Sequence, residues 1–339
     1  MDTQVELAAR VFRNNTAEAV HYASVAVVDS EGRLTHYLGD PYMTIMARSS
    51  IKPFQLLPLI MTGGVAAFGF TPRQLAIMCG SHVGSDEHRD VVLSNLERAG
   101  NKPEDLQCGC HWPIGMEMAR QYPASGEDTD PVRHNCSGKH SGFLALTRHL
   151  GRDIAKYLDP DSQTQQMVKA AVAEYCEFAA EKMDVTIDGC SAPNFSMPLY
   201  NLALGFKKLA NVEGSSVQQK DAVATIKAAM IAYPEMVSGE KRLDLSVMRS
   251  FPRNVVCKIG AESLEGVGFA DPSLGIAVKV HDGNQRALGA IVVEVMKQLG
   301  IIANMSDFPY LKSEEEPPVK NNRGTTTGYI VPDFKLRKA

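Results

Sequence analysis

The stretch RSSIKPFQ, residues 48–55, decides the interpretation of the fold and of the chemistry of this chain. It places the Ser49 hydroxyl and the Lys52 amine three residues apart where a helix is predicted to begin, so both lie on one helical face. A serine attacks well only when a base takes its proton, and a lysine is such a base when burial or nearby charge lowers its pKa. The apolar run 53–61 follows and can supply the burial. We therefore interpret Ser49 and Lys52 as a candidate nucleophile and base.

A second lysine, Lys258, lies late in the chain on a predicted strand, residues 254–260. Gly260 follows it by two residues and lets a ligand approach the strand backbone closely. An early Ser-x-x-Lys and a late Lys-Thr-Gly are among the marks of serine β-lactamases and penicillin-binding proteins. The middle Ser-Asp-Asn of that set is not evident here. The glycine-flanked loop GSHVG, residues 80–84, offers Ser81 as the second hydroxyl instead.

The order of predicted elements indicates the fold class. Strands are predicted at 22–28 and 33–37 around the turn DSEG, at 254–260 and 274–280, and as a last edge strand at 329–331. Helices are predicted to begin at Ser49 and after Thr71, and to cover 85–96, 140–150, 162–182, 199–209, 217–232 and 284–299. We predict an α/β (α+β) fold in which both chain ends form a mixed antiparallel sheet flanked by helices, with an inserted helical lobe. The single domain 1–339 would then comprise a sheet subdomain, about 1–60 and 250–339, and a helical lobe, about 61–249.

Composition limits the classes of partner. The 339 residues are 44% hydrophobic, which is enough for a large core, and the net charge of -4 is spread without basic clusters. This argues against nucleic acid or an anionic membrane as the main partner and favours a small molecule. No apolar run approaches the roughly 20 residues that span a bilayer, and residues 1–10 lack a signal-peptide pattern. We therefore expect a cytoplasmic protein.

Cysteines and histidines suggest a metal site. The seven cysteines are an odd number, and a reducing cytosol makes a disulfide framework improbable. Cys136 and Cys190 could converge from two loops, and two thiolates favour a zinc-like ion. From spacing alone, His140 is a better third ligand than Lys139, because a lysine must lose its proton to coordinate. The segment CGCH, residues 108–111, is better interpreted as a surface loop, since one ion could hardly use side chains so close in sequence.

Taken together, RSSIKPFQ at 48–55, GSH at 80–82, HNCSGKH at 134–140, DGC at 188–190 and KIGAE at 258–262 resemble the rhizobial-type (class 3) L-asparaginases over nearly the whole chain. The resemblance implies a fold like that of serine β-lactamases and glutaminases, a homodimer, and hydrolysis of L-asparagine to L-aspartate and ammonia. It also implies two Ser-Lys tandems and a zinc site with Asp188 close by. The implied tandems are Ser49 with Lys52 and Ser81 with Lys258, and the implied zinc ligands are Cys136, Lys139 and Cys190, in place of His140.

The candidates for substrate contact are Arg48, His82, His140 and Asp188. Arg48 is the candidate for the carboxylate of an amino-acid substrate, and Asp188 or the metal shell for its ammonium. Two positions depart from the family pattern. Ser85 stands where an acidic residue is expected, with Asp86 adjacent, and Ser263 follows Glu262 where a glycine is common.

Three questions stay open at the level of sequence. Spacing does not tell whether Ser49 or Ser81 is the nucleophile. A β-lactamase or penicillin-binding-protein-like serine hydrolase would use the same serine chemistry, although the expected lack of an export signal counts against it. A non-catalytic metal- or amino-acid-binding protein is the third alternative, and it ranks last because two hydroxyl-amine tandems exceed what binding an amino acid requires.

Overall fold

A computed structural model describes residues 5–119 and 130–339 and contains two compact units. The first, the sheet unit, comprises the chain up to Ser50, Met197–Asn211 and Ser246–Ala339. The second, the helical unit, comprises Ile51–Ser196 and Val212–Leu245. Within the described residues, no helix combines the length and the apolar character that crossing a membrane requires.

The secondary structure is rich in both strands and helices. The strands are β1 (Glu6–Arg13), β2 (Thr16–Val28), β3 (Leu34–Leu38), β4 (Thr44–Met46), β5 (Val185–Ile187), β6 (Pro193–Pro198), β7 (Val255–Gly260), β8 (Leu264–Phe269), β9 (Leu274–Val280), β10 (Pro318–Lys320), β11 (Thr326–Pro332) and β12 (Arg337–Lys338). The helices are α1 (Lys52–Gln55), α2 (Leu57–Met61), α3 (Gly64–Phe68), α4 (Pro72–Met78), α5 (Asp86–Arg98), α6 (Ile114–Ala119), α7 (Ser137–His149), α8 (Gln163–Tyr175), α9 (Leu199–Asn211), α10 (Val217–Ala232), α11 (Pro234–Val237), α12 (Leu243–Ser250), α13 (Leu288–Gln298) and α14 (Lys312–Glu315). Short 3₁₀ turns include one at Arg48–Ile51.

Both ends of the chain build the large sheet, as the sequence predicts. Its strand order is β10-β11-β1-β2-β9-β8-β7, and β3 pairs with both β2 and β12. The paired strands are antiparallel. The predicted α/β class, with an antiparallel sheet from both chain ends and a helical insertion, is therefore confirmed. β7, which carries Lys258, is the last strand in the order.

Glycines on β8 and β9 let α9 pack closely on the sheet. A Cβ atom at Gly266 or Gly268 would overlap Phe206 of α9, and one at Gly275 would overlap the carbonyl of Ala203. α9 therefore belongs to the sheet unit. The predicted lobe boundaries need correction here, because 61–249 included α9 and excluded residues 51–60, which lie in the helical unit.

The helical unit begins its helices where the sequence predicts caps. Thr71 forms a capping box at the start of α4, and the Ser85 hydroxyl accepts the backbone N–H of His88 at the start of α5. Gly138, in the first turn of α7, lies against the Ile77 carbonyl of α4, where a Cβ atom would overlap it. α7 therefore approaches α4 at the end that continues into Ser81.

A short hairpin completes the helical unit. β5 and β6 pair in register Val185 with Phe195, Thr186 with Asn194, and Ile187 with Pro193. The Asp188 N–H donates to the Ala192 carbonyl at 2.8 Å and closes the tip of the hairpin. Cys190 lies in this tip, so the hairpin determines where one of the predicted zinc ligands is held.

Candidate active site

Lys52 is the centre of a buried polar cluster in the helical unit. It is the first residue of α1, and its side chain is 1% exposed. Its Nζ donates to the Gly80 carbonyl at 2.6 Å and to Ser81 Oγ at 2.8 Å, and lies 3.2 Å from Cys136 Sγ. Lys52 Nζ therefore lies within contact distance of a backbone carbonyl, a hydroxyl and a thiol.

The segment that carries Ser81 is held by its backbone. Ser81 N–H donates to the Val237 carbonyl at 2.8 Å, and Val83 N–H donates to the Ser238 carbonyl at 3.0 Å. Gly80 lies so close to the Met236 carbonyl that a Cβ atom there would overlap it. The Ser81 side chain is 2% exposed. Its hydroxyl is therefore a fixed, buried partner of Lys52.

Ser49 occupies a different environment in the sheet unit. It lies in the 3₁₀ turn Arg48–Ile51 and keeps part of its surface accessible. Arg48, just before it, has a positive φ of 50°. A nitrogen of Arg48 lies 3.9 Å from a carboxylate oxygen of Glu262, which is a loose ion pair. Ser49 is thus the more accessible of the two predicted catalytic serines.

Lys258 is fully buried on β7 in the sheet unit. Its Nζ donates to the Ile259 carbonyl at 2.7 Å, and its register partner on β8 is Gly266. Within the helical unit the structure brings Lys52 together with Ser81 and Cys136. The pairings of Ser49 with Lys52 and of Ser81 with Lys258 stay predictions.

Lys139 and Cys190 form a second buried pair. The Lys139 side chain is 4% exposed, and its Nζ lies 3.0 Å from Cys190 Sγ. A hydrogen bond from Cys136, followed by the charge of Lys139, lowers the pKa of Cys190 to about 4 against the opposing effect of burial. Burial acts to lower the pKa of Lys139, but the negative charge of Cys190 raises it. Without a metal ion, these shifts favour a thiolate on Cys190 and an ammonium on Lys139.

The donor set of Cys136, Lys139 and Cys190 fits a zinc ion. Two thiols that share a hydrogen bond, with an amine beside one of them, provide soft donors of the kind zinc prefers. In residues 5–119 and 130–339, no group of three or more His, Cys, Asp or Glu side chains is placed to hold a metal. A three-donor zinc site here therefore requires Lys139 as a neutral amine, as the family resemblance implies.

His140 and Cys108 lie near these donors but differ from them. Nδ1 of His140 lies 2.7 Å from the Tyr157 hydroxyl, and Nε2 has no hydrogen-bond partner among the described side chains and backbone. Burial, then the charge of Lys139, lowers the pKa of His140 well below its usual value. Burial raises the pKa of Cys108 to about 12, and its Sγ donates weakly to the Pro131 carbonyl at 3.6 Å. Cys108 is thus a neutral, buried thiol, whereas Cys110 of the same segment is exposed.

The other predicted substrate residues have distinct surroundings. His82 is fully buried, its Nε2 lies 3.0 Å from Ser137 Oγ, and its ring stacks on His88 at 5.0 Å. Burial lowers the pKa of His82 well below its usual value, so the ring is neutral. Asp188 is partly exposed and accepts the Gly189 N–H at 2.8 Å. Of the four candidates, Arg48 and Asp188 retain accessible surface, and the two histidine rings do not.

The sequence interpretation missed several groups in these clusters. The Gly80 carbonyl holds Lys52, Ser137 holds His82, and Tyr157 holds His140. Lys52 also contacts Cys136, a residue 84 positions away. Local spacing does not predict such contacts, because they arise only when segments that are separated in the chain pack together. The only signal in the sequence was Gly138, whose missing side chain permits that packing.

A scan against protein-family models found that the L-asparaginase II model matches residues 9–332. The chain belongs to the L-asparaginase II family. The resemblance to L-asparaginases seen in the sequence is thereby confirmed, and the family makes the chain an amidohydrolase. No curated protein sequence matched the chain.

Solved structures that resemble the chain include three of low sequence identity. A β-lactamase from Mycobacterium bovis is 13% identical, with 81% of this chain and 94% of that one covered and a TM-score of 0.42. An octameric penicillin-binding protein homologue from Pyrococcus abyssi is 13% identical, with 89% of this chain and 80% of that one covered and a TM-score of 0.43. A Bacillus glutaminase is 14% identical, with 83% of this chain and 92% of that one covered and a TM-score of 0.38. The family assignment rests on the family model.

Proposed function

We propose that this protein is an L-asparaginase that hydrolyses the side-chain amide of L-asparagine through a Ser-Lys mechanism. The observation that carries the proposal is the buried Lys52 amine, 2.8 Å from the Ser81 hydroxyl, in a chain of the L-asparaginase II family. A lysine buried against a hydroxyl is the arrangement that proton transfer between an amine and an alcohol requires.

Ser49 is the proposed nucleophile and Lys52 its base. Ser49 keeps accessible surface, which an attacking hydroxyl needs, whereas Ser81 is 2% exposed. Ser49 Oγ attacks the side-chain amide carbon while the Lys52 amine accepts the hydroxyl proton. Backbone N–H groups near Ser49 would stabilise the oxyanion. The C–N bond then breaks and leaves a β-aspartyl ester on Ser49.

Ser81 and Lys258 are the proposed relay to the leaving group. The proton taken by Lys52 passes through the Ser81 hydroxyl, which already accepts a hydrogen bond from Lys52. Lys258 assists delivery to the departing nitrogen, so that ammonia leaves. Water then attacks the ester with the same base, releases L-aspartate and restores the Ser49 hydroxyl.

Arg48 and Asp188 are the proposed contacts of the substrate's carboxylate and ammonium, respectively. Their charges suit these groups, and both side chains are partly accessible. His82 and His140, being buried and neutral, would act by holding the segments around Ser81 and Lys139. Arg48→Ala should therefore raise KM more than it lowers kcat.

Zinc is the proposed metal, held by Cys136, Lys139 and Cys190. When bound, the ion would supply positive charge that can orient the substrate or polarise water. The resemblance also supports a homodimer, and the proposed location is the cytoplasm. Light scattering of the purified protein would report two chains for the proposed dimer and one chain if that part is wrong.

Steady-state assays with three compounds test the proposed activity: ammonia release from the two amides L-asparagine and L-glutamine, and hydrolysis of nitrocefin. We expect release from L-asparagine, weaker release from L-glutamine, and no hydrolysis of the β-lactam nitrocefin. A pocket discriminates one methylene by about 1 to 3 kcal/mol, so some glutamine turnover is expected. Nitrocefin hydrolysis without ammonia release would favour a β-lactamase. Tight binding of asparagine with no ammonia at any pH would favour a non-catalytic binding protein.

A further inference from the structure

A cavity lies in the helical unit, between α8 and the β5–β6 hairpin. Its volume is about 250 Å³, and neither Lys52 nor Lys139 lines it. We call it the α8–hairpin pocket, and its lining includes Asp161, Gln165, Lys169, Val185, Pro193 and Phe195. Pockets for drug-sized ligands typically measure about 300–1,000 Å³. This pocket therefore suits a smaller molecule, of the size of a common metabolite.

Gln165 lines this pocket with an almost fully buried side chain. Its side chain is 1% exposed, and its Nε2 donates to the Tyr157 carbonyl at 2.8 Å. A carbonyl can only accept, so this bond fixes which end of the amide is nitrogen. The remaining atom, Oε1, is buried and has no partner in the described part of the chain. The amide of Gln165 therefore has a fixed orientation in the wall of this pocket.

The rest of the lining combines both signs of charge with an apolar wall. Lys169 supplies a cation and Asp161 an anion, and both side chains retain accessible surface. Lys169 forms no ion pair with any residue in 5–119 or 130–339. Phe195, Pro193 and Val185 supply the apolar wall. A molecule that carries an ammonium, a carboxylate and a small body matches all three features.

We propose that the α8–hairpin pocket binds a small α-amino acid. Lys169 pairs with its carboxylate, and Asp161 accepts from its ammonium. The small side chain packs on Phe195 and Val185. The pocket takes a zwitterion with both groups on one carbon, so neither a simple carboxylate nor a simple amine satisfies it.

Two direct connections link this pocket to the candidate active site. Val185 and Phe195 are register partners at the base of the hairpin whose tip carries Asp188 and Cys190. On the other side, Gln165 bonds the backbone of Tyr157, and the Tyr157 hydroxyl lies 2.7 Å from His140. A bound amino acid thus contacts residues on both routes.

Equilibrium dialysis with radiolabelled L-alanine tests the proposal, with acetate and methylamine as competitors. The decisive variant is Val185→Trp, which fills the pocket from a side chain that is 41% exposed. Its matched control is Val217→Trp, at a valine that is 77% exposed on α10. We expect Val185→Trp to lose one bound alanine per chain relative to the wild type, and Val217→Trp to lose none. Equal stoichiometry in the wild type and Val185→Trp overturns the proposal.

A charge variant keeps the test valid if Val185→Trp folds poorly. Lys169→Gln should weaken alanine binding at this site at least tenfold, and Lys220→Gln, at an exposed lysine on α10, should leave it unchanged. Acetate or methylamine alone should compete at least tenfold more weakly than unlabelled alanine. Unchanged affinity in Lys169→Gln, or acetate competing as well as alanine, contradicts the assignment. Because the readout is binding, a failure of the asparaginase proposal would leave this result standing.

Discussion

Two buried lysines of the helical unit, Lys52 and Lys139, have the same side chain but different partners. Lys52 bonds a carbonyl and a hydroxyl, whereas Lys139 lies 3.0 Å from the thiolate of Cys190. The two are connected, because Cys136 lies 3.2 Å from Lys52 Nζ and hydrogen-bonds Cys190. The partner, not the burial, therefore determines what each lysine can do.

This difference separates proton transfer from charge pairing. The hydroxyl beside Lys52 can exchange a proton with the amine, so Lys52 suits acid-base catalysis. The thiolate beside Lys139 stabilises an ammonium, and a metal ion would take the place of that proton. Substitutions at the two lysines should accordingly affect different measured quantities: turnover at Lys52, and metal content and stability at Lys139.

The largest expected effect is on turnover at Lys52. Lys52→Arg keeps the positive charge but cannot act as a base, because a guanidinium does not deprotonate in proteins. Both Lys52→Arg and Lys52→Met should lower kcat for ammonia release about 10³-fold, within the usual range for a general base. If kcat of Lys52→Arg stays within tenfold of the wild-type value, Lys52 contributes only its charge. The distinction between Lys52 as a base and Lys139 as a charge partner would then be wrong.

At Lys139 we expect a loss of metal and of stability. Lys139→Met should reduce bound zinc per chain to near zero and lower the free energy of unfolding by about 3 kcal/mol, because the Cys190 thiolate is left buried without its partner. Atomic emission and urea unfolding measure these two quantities. Adding Cys190→Ala to Lys139→Met should recover part of the lost stability, since both charges are then removed. If Lys139→Met keeps its full zinc content, Lys139 is not a zinc ligand.

A smaller effect on turnover is expected at Ser81. Ser81→Ala removes the proposed relay but leaves Lys52 and its bond to the Gly80 carbonyl. We expect kcat to fall about 10²-fold, at the low end for a group that assists proton transfer. Adding hydroxylamine as an alternative acceptor of the acyl group would show whether the first half-reaction is the slow one. A Ser81→Ala protein with no detectable acylation would reverse the assigned roles of the two serines.

The smallest effect is expected at Cys108, which serves as a control for the metal site. It is 2% exposed, and its thiol stays neutral because burial raises its pKa to about 12. Cys108→Ala should leave zinc content and turnover unchanged and cost about 1 kcal/mol of stability from lost packing. Loss of zinc in this variant would show that a third thiol holds the ion.

The sequence predicted elements well where local signals agree. The caps at Thr71 and Ser85 start α4 and α5, and α10 has the predicted bounds, Val217–Ala232. Other elements were missed. β1 is rich in alanine, and β8 alternates glycine with larger residues, which weakens a strand signal until Phe206 of α9 is known to fill the space.

Predicted ends and edges were less accurate than predicted elements. α8 ends at Tyr175, not near Lys182. β11 was expected at the sheet edge, but β10 covers it. These outcomes depend on which segment packs alongside, and local sequence does not contain that information.

The candidate site shows the same division. Motif spacing singled out Lys52, Ser81 and the two thiols, all of which the structure gathers in one unit. It gave no indication that Lys52 would contact both Ser81 and Cys136, because these residues are far apart in the chain and meet only in the folded helical unit. The family resemblance named Lys139 as a ligand, which spacing alone had ranked below His140.

Rapid-quench mass spectrometry of the protein mixed with L-asparagine tests the central claim most directly. The account predicts a β-aspartyl ester on the peptide that carries Ser49 in the wild type. It predicts no ester in Ser49→Ala and no accumulation of ester in Lys52→Arg. An ester on the peptide that carries Ser81, or near-normal ammonia release by Ser49→Ala, would contradict it.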